Sequence, residues 1–335
     1  MDAEGSAIGD ETLPRTPPAA ACVDVIIVSA DMSEMTLECV TELDDPSVAD
    51  VIVLDNAFGD DERVGSAREQ IAARSHVVAL EQRHGFAAAN NRGLQRGHAR
   101  YALLLNSDVL VAAGAIDALR DALEADADAV TAGGRLVDPQ TLATQAQYRP
   151  RPFPTLANFL VIVLGIEELW PGNPVTRRYH GTVHEDDATT RTVDAQPAAA
   201  ALLVRRDAID AIGGFDERFW FWFEDSDLLL RLGRRGQILY VPSAVFRHLG
   251  GGSFSRWSKA EQIRSIHHGI VQYADAHFSR ARRGVLGLAE LAISLPRVVL
   301  FGRSRPDEAS AWRAVAGAGV ALLRGRQPAA IAPGP

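Results

Sequence analysis

Through the first half of the chain, short apolar runs alternate with longer stretches of helical character. Val23-Asp24-Val25-Ile26-Ile27-Val28-Ser29 predicts a buried first strand that ends at Ala30-Asp31, with a helix over 35–43. Val51-Ile52-Val53-Leu54 predicts a second strand ending at Asp55-Asn56, followed by a helix over 64–74 and a third strand over 76–80. Residues 85–100 open on glycine and alanine, turn helical, and lead into Leu103-Leu104-Leu105-Asn106-Ser107-Asp108-Val109-Leu110-Val111. There an apolar strand meets a polar corner and then continues apolar. Runs without polar alternation are those buried on both faces of a sheet. Strands alternating with helices predict right-handed crossovers in a parallel sheet, so the expected fold class is α/β, of a nucleotide-binding type.

The second half is less regular. An alanine-rich helix is expected through 124, a strand near 129–131, and a proline- and arginine-rich connection over 147–154. Residues 155–170 are apolar but broken by Gly165, and too short for a bilayer span. Residues 171–194, with His180 and His184, read as a mobile polar loop. A strand over 201–204 and a helix over 206–212 precede Gly213-Gly214, which suit a helix end. A further helix over 228–234 carries Glu224, Asp225 and Asp227 in its first turn, and a short strand is expected at 238–242, with Val245 to His248 following it. The tail holds an apolar stretch, 284–296, that contains Glu290, stops at Pro296 and is flanked by Arg280, Arg282, Arg283 and Arg297. Residues 312–323 repeat the pattern. Two readings stand side by side for this tail: amphipathic helices lying on a membrane surface, or helices packed on the main domain.

Composition narrows the function classes. Hydrophobic residues make up 47% and charged residues 23%, the balance of an ordinary globular chain. A net charge of −9 speaks against nucleic acid as a partner, although basic residues crowd toward the C-terminus. Two cysteines, Cys22 and Cys39, exclude a disulfide scaffold and fit a reducing compartment. Residues 1–21 lack the basic and apolar regions of a signal peptide and are expected to be a disordered leader, as is the tail 328–335. The main domain is expected over 22–278 and a helical extension, possible membrane contact included, over 279–327.

Several residue groups carry chemistry. Asp31 and Asp55, at strand ends, suit hydrogen bonds from a ribose or a pyrimidine imide, or equally helix capping. The Asn106-Ser107-Asp108 corner is either a turn or a ligand-binding strand end. No G-x-G-x-x-G follows the first strand and no phosphate-binding G-x-x-x-x-G-K motif occurs, which removes the dinucleotide and P-loop readings. Large aromatics at 219–223 precede the three acids. Such rings wall a sugar site, and a carboxylate beside them gains a raised pKa suited to a general base. The bland alternative is favourable charge at a helix N-terminus. His248, before a glycine-rich stretch, suits a metal ligand beside a closing lid, or a satisfied structural histidine.

Taken in order, these elements resemble the inverting glycosyltransferases of family 2, which have the GT-A fold. Asp55-Asn56-Ala57 resembles the family's Asp-Asn-x-Ser. The run from Gly85 to Gly93 resembles G-F-x-x-x-N-x-x-G, and Asn106-Ser107-Asp108 stands where the family has Asn-Pro-Asp. Gly213-Gly214-Phe215-Asp216-Glu217 with Glu224-Asp225-Ser226-Asp227 matches G-G-F-D-E and E-D-x-D, and His248 to Ser253 resembles H-x-x-G-x-S. The resemblance spans 23–253. It departs at Ala30-Asp31, where the family has Tyr-Asn, so the ring that stacks on the base has no counterpart. Ser107 stands for a proline and Phe58 for a serine.

The resemblance implies a GT-A sheet with a C-terminal helical extension and a nucleotide-sugar donor. It implies a divalent cation, Mn²⁺ or Mg²⁺, held by Asp108 and His248. Asp225 would be the base, with Glu224 and Asp227 positioning it or the acceptor. Ser29, Asp31 and Asp55 would hold the nucleoside, with Arg83 and Asn91 near phosphates or ribose and Asn106 assisting. Within the family, bacterial rhamnosyltransferases acting on lipid-linked saccharides look nearest, given the long extension and Leu322-Leu323-Arg324-Gly325-Arg326. The expected function is transfer of rhamnose from a dTDP-sugar to a lipid-linked glycan, at the cytoplasmic membrane face. The rivals are a sugar nucleotidyltransferase, which wants a lysine-bearing glycine loop that Ser29-Ala30-Asp31 does not offer, and a glycan-binding protein without turnover.

Overall fold

A computed structural model describes residues 21–56, 62–180, 189–250 and 257–328. The expectations for the leader, Ala57, Phe58, His184, the Gly251-Gly252-Ser253 stretch and the last seven positions fall outside them. A nine-stranded mixed sheet forms the centre. Its first part is parallel: β1 (Val23–Ser29) lies between β2 (Val48–Asp55) and β4 (Tyr101–Asn106), and β3 (His76–Ala79) flanks β2. The crossovers are α1 (Glu34–Thr41), α2 (Glu62–Ala72) and α3 (Phe86–Arg96).

Beyond β4 the directions mix. β5 (Val109–Val111) leaves the polar corner and α4 (Ala115–Ala125) leads to β6 (Ala129–Val137). Then come α5 (Leu156–Val163), α6 (Ile166–Leu169), α7 (Pro174–His180), β7 (Arg191–Thr192), β8 (Ala201–Arg205) and α8 (Arg206–Ala211). α9 (Glu224–Leu232) and β9 (Gln237–His248) complete the sheet region. β8 runs antiparallel between β4 and β6, β9 is parallel to β6, and β5 and β7 pair antiparallel with β9. The parallel sheet expected for the first half is present in β1 to β4, and parallel pairing recurs between β6 and β9; hydrophobic periodicity marks a strand but not its direction, so the antiparallel pairs carried no signal.

Alternate residues of each strand feed two cores. Ile26, Ile52, Leu104 and Leu202 face α3, α5, α9 and α10 (Lys259–His277); Val25, Val53, Leu103 and Leu203 face α1 and α4. Both faces are therefore apolar, as the unbroken runs require.

Three further expectations are corrected. The polar stretch after 171 is not wholly loop: α7 starts at Pro174, and the Asn173 side chain accepts the N–H groups of Val175 and Thr176. The short strand expected at 238–242 runs on to His248 as one element. β9 stays in register with β6 from Thr131↔Ile238 to Gly134↔Val241 and resumes at Arg135↔Val245, so Pro242 sits in a bulge that needs no N–H. In the tail, α11 (Arg280–Phe301) continues through Pro296 and is followed by α12 (Pro306–Arg324). Leu286 and Ala289 of α11, with Ala318 and Leu322 of α12, join the same buried cluster as Phe159 and Tyr273.

Candidate active site

A cleft of about 420 Å³ opens at the carboxyl ends of β1, β2 and β4, a size suited to a nucleotide sugar. One wall comes from Ala30, Asp31, Asn56 and Arg83; the floor is Asn106-Ser107-Asp108; the far wall carries Tyr148, Arg149, Arg151 and His248. Trp220, Phe221, Trp222, Phe223, Glu224, Asp225 and Trp257 close the remaining side.

Strand register joins the floor to the far wall. β5 pairs with β9 so that Val109 stands opposite His248, and the Leu249 N–H donates to the Asp108 carbonyl at 2.9 Å. Two residues 140 positions apart in the sequence thus meet, His248 Nε2 lying 3.3 Å from Asp108 Oδ2. His248 is buried, with the Tyr148 ring edge-on at 4.6 Å. The Gln145 side chain fixes its tautomer. Gln145 Nε2 donates to the His248 carbonyl at 3.1 Å, which turns Oε1 toward His248 Nδ1 at 3.0 Å. A carbonyl oxygen only accepts, so in the neutral ring Nδ1 carries the proton and the Nε2 lone pair faces Asp108. Among the described residues no group of three or more His, Cys, Asp or Glu side chains is arranged to hold a metal ion by itself. One carboxylate and one imidazole whose Nε2 lone pair faces it fit a divalent cation, which Asp108 and His248 would hold with its remaining positions open to other oxygen ligands.

The acids sit at the start of α9 behind a strained turn. Trp222 and Phe223 both have positive φ, 75° and 65°, unfavourable for large side chains. Packing holds them there. The Phe223 ring packs edge-on against Phe159 at 5.0 Å, and Gly269 of α10 leaves room for the Trp222 carbonyl. Glu224 is buried, lines the cleft, and its Oε2 has no hydrogen-bond partner. Burial first, and then the neighbouring Asp225 carboxylate, pushes Glu224 up to about 8, so it holds its proton at neutral pH. A protonated Glu224 spares Asp225 a second negative charge beside it. Asp225 Oδ1 accepts the Ser226 N–H at 2.7 Å, and Ser226 Oγ donates to Gln196 Oε1 at 2.5 Å. Gln196 in turn bridges to the Arg151 backbone, tying the arginine-bearing wall to the acids.

Four expected site residues are not among those lining the cleft. Ser29 is fully buried; its Oγ accepts the Met32 N–H at 2.9 Å and bonds Thr36, shaping the turn that presents Asp31. Asp55 is buried and paired with Arg68 of α2. Asn91 clamps the 215–217 segment: Oδ1 accepts the Phe215 N–H at 2.8 Å, and Nδ2 donates to the Phe215 carbonyl and to Glu217 Oε1. Asp227 is buried between Arg231 and His277 Nε2, the latter at 2.7 Å, and anchors α9 to α10. The glycine-phenylalanine pair that opens α3 is structural as well. A Cβ at Gly85 would lie 2.7 Å from the Trp220 carbonyl oxygen, which accepts the Phe86 N–H. Asn56, by contrast, holds the His84 backbone by two bonds and so sets Arg83, whose guanidinium stacks on Trp257, against the cleft.

Gln145, Tyr148, Arg149, Arg151 and Gln196 escaped the sequence reading. The arginines lay within the connection noted as proline- and arginine-rich; Gln145 and Gln196 carried no signal.

Fold and cleft together define a GT-A type α/β protein. The crystal structure of GalNAc-T7 with UDP, GalNAc and Mn²⁺ shares the fold, with a TM-score of 0.50 and 14% identity over 76% of this chain and 50% of that one. Residues 24–179 match the model of glycosyl transferase family 2. Two relatives, each named N-acetylglucosaminyl-diphospho-decaprenol L-rhamnosyltransferase, from two strains of Mycobacterium tuberculosis, are 37% identical over 180 residues. That match spans 53% of this chain and only 56% of the relatives' length.

Proposed function

We propose that the chain is an inverting glycosyltransferase that moves rhamnose from a dTDP-sugar to an N-acetylglucosaminyl-diphospho-polyprenol at the cytoplasmic face of a membrane. The observation that carries this reading is the single cleft shared by the Asp108–His248 pair and the Glu224–Asp225 pair. Direct displacement needs both: positive charge where the diphosphate leaves, and a base where the acceptor arrives. The names of the two relatives support the sugar and the acceptor class.

Asp225 accepts the proton of the acceptor hydroxyl as that oxygen bonds to the anomeric carbon. The bond from that carbon to the diphosphate breaks on the opposite side, and the electron pair leaves with the nucleotide. Attack in line inverts the anomeric centre. Glu224, kept protonated, holds a hydrogen-bond donor against the sugar or acceptor. Asp31 and Asn106 orient the nucleoside end, and Arg83, Arg149 and Arg151 face the phosphates. Asp108 and His248 would hold a divalent cation, Mn²⁺ or Mg²⁺, which when bound offsets the charge of the leaving diphosphate. Aromatic rings from 220 to 223 and Trp257 exclude water from the sugar.

Incubation of the protein with Mn²⁺, dTDP-rhamnose and the lipid-linked acceptor tests the reading. A product whose linkage has the anomeric configuration opposite to the donor is expected. Retention of configuration, or hydrolysis of the donor without transfer, would overturn it.

A further inference from the structure

We propose that the outward face of α11 docks in the plane of an anionic phospholipid surface. Between 285 and 300 every exposed position of this helix is apolar. Val285, Leu288, Leu295, Val299 and Leu300 are the large ones, and Val299 is 84% exposed. The spacing of 285, 288, 292, 295 and 299 places them along one stripe. The helix is inverted relative to an ordinary surface helix, because its polar groups point inward. Glu290 is fully buried and takes a bond from His267 Nδ1 of α10 at 2.8 Å, and Ser294, also buried, donates to the Glu290 carbonyl. α11 is long and apolar enough to cross a bilayer, yet this inward side is committed to α10 and α12, which leaves the stripe for a surface.

Charge decides the occupant. The stripe is bounded by exposed Arg280 and Arg282 at one end and by exposed Arg303 and Arg305 at the other. From 279 to 328 there are nine arginines and three acids, in a chain whose net charge is −9. A second copy laid along the stripe, in either direction, would set arginines against arginines. An anionic bilayer takes the apolar side chains and the flanking guanidinium groups together. α5 packs against α11, and the adjoining α6 exposes Leu169 and then Trp170, an aromatic suited to the interface. The inference does not depend on the transfer reaction, since its readout is binding alone.

Flotation of the full chain with vesicles is the test. The protein is expected to float with phosphatidylglycerol mixed equally with phosphatidylcholine, not with phosphatidylcholine alone, and to be released by salt. Leu288→Asp with Leu295→Asp, folded by thermal unfolding, is expected to bind about tenfold more weakly or worse. Arg280→Glu with Arg282→Glu and Arg303→Glu keeps the stripe and is expected to lose the preference for the anionic lipid. Wild-type protein that stays unbound with anionic vesicles would overturn the proposal. So would an aspartate pair that floats like wild type, or one that only dissolves a dimer.

Discussion

The two ring nitrogens of His248 have different duties, and Gln145 assigns them. Because the amide N–H₂ is committed to a backbone carbonyl, the amide oxygen holds the proton on Nδ1 and leaves Nε2 turned toward Asp108. Such outer partners set metal affinity. Gln145→Leu should weaken Mn²⁺ binding about 10–100-fold by calorimetry while folding is kept. Glu224 gives a pH signature. Its folded pKa of about 8 lies above the ordinary 4.5, so the stability its neutral form confers is complete below 4.5 and is lost as pH rises through about 8. Thermal unfolding of Glu224→Gln should therefore decline less than wild type across that window. At this scale the sequence was partly legible. Asp108, His248, Glu224 and Asp225, which the structure brings to one cleft, stood out because apolar runs frame them. Ser29, Asp55, Asn91 and Asp227 lie off the cleft, and a polar side chain that satisfies a buried backbone or ion pair looks, in sequence, like one that meets a ligand.

Among the elements, α3 and the 213–227 segment behave as one clamp. Asn91, Gly85 and Phe86 all serve to hold the turn that delivers the acids, with the Phe86 ring edge-on to Phe215 and Phe221. Asn91→Leu leaves the Phe215 backbone groups buried without partners and should cost roughly 1–3 kcal/mol in denaturant unfolding. Because Asn91 is off the cleft, donor affinity in the folded variant should be nearly unchanged. The first three crossovers were readable from periodicity. The bulge at Pro242 and the antiparallel β8 were not, since neither direction nor register leaves a mark in a wholly buried run.

For the whole molecule, the tail helices are part of the fold rather than an appendage. Glu290 and His267 join α11 to α10 inside the structure. Glu290→Ala should destabilise by roughly 1–3 kcal/mol in denaturant unfolding, because it strands a buried imidazole. The sequence showed the two helical stretches, the flanking arginines and Glu290; it could not show that Glu290 points inward, and so which face remains outside. An acidic body carrying a basic, apolar-faced extension fits the lipid-linked acceptor proposed above.

The transfer rate from dTDP-rhamnose to the lipid-linked acceptor measures directly whether Asp225 takes the acceptor's proton, as proposed. Asp225→Asn should slow transfer by about 100-fold or more with donor binding intact, in line with loss of a general base. A variant that transfers at the wild-type rate would rule Asp225 out as the base.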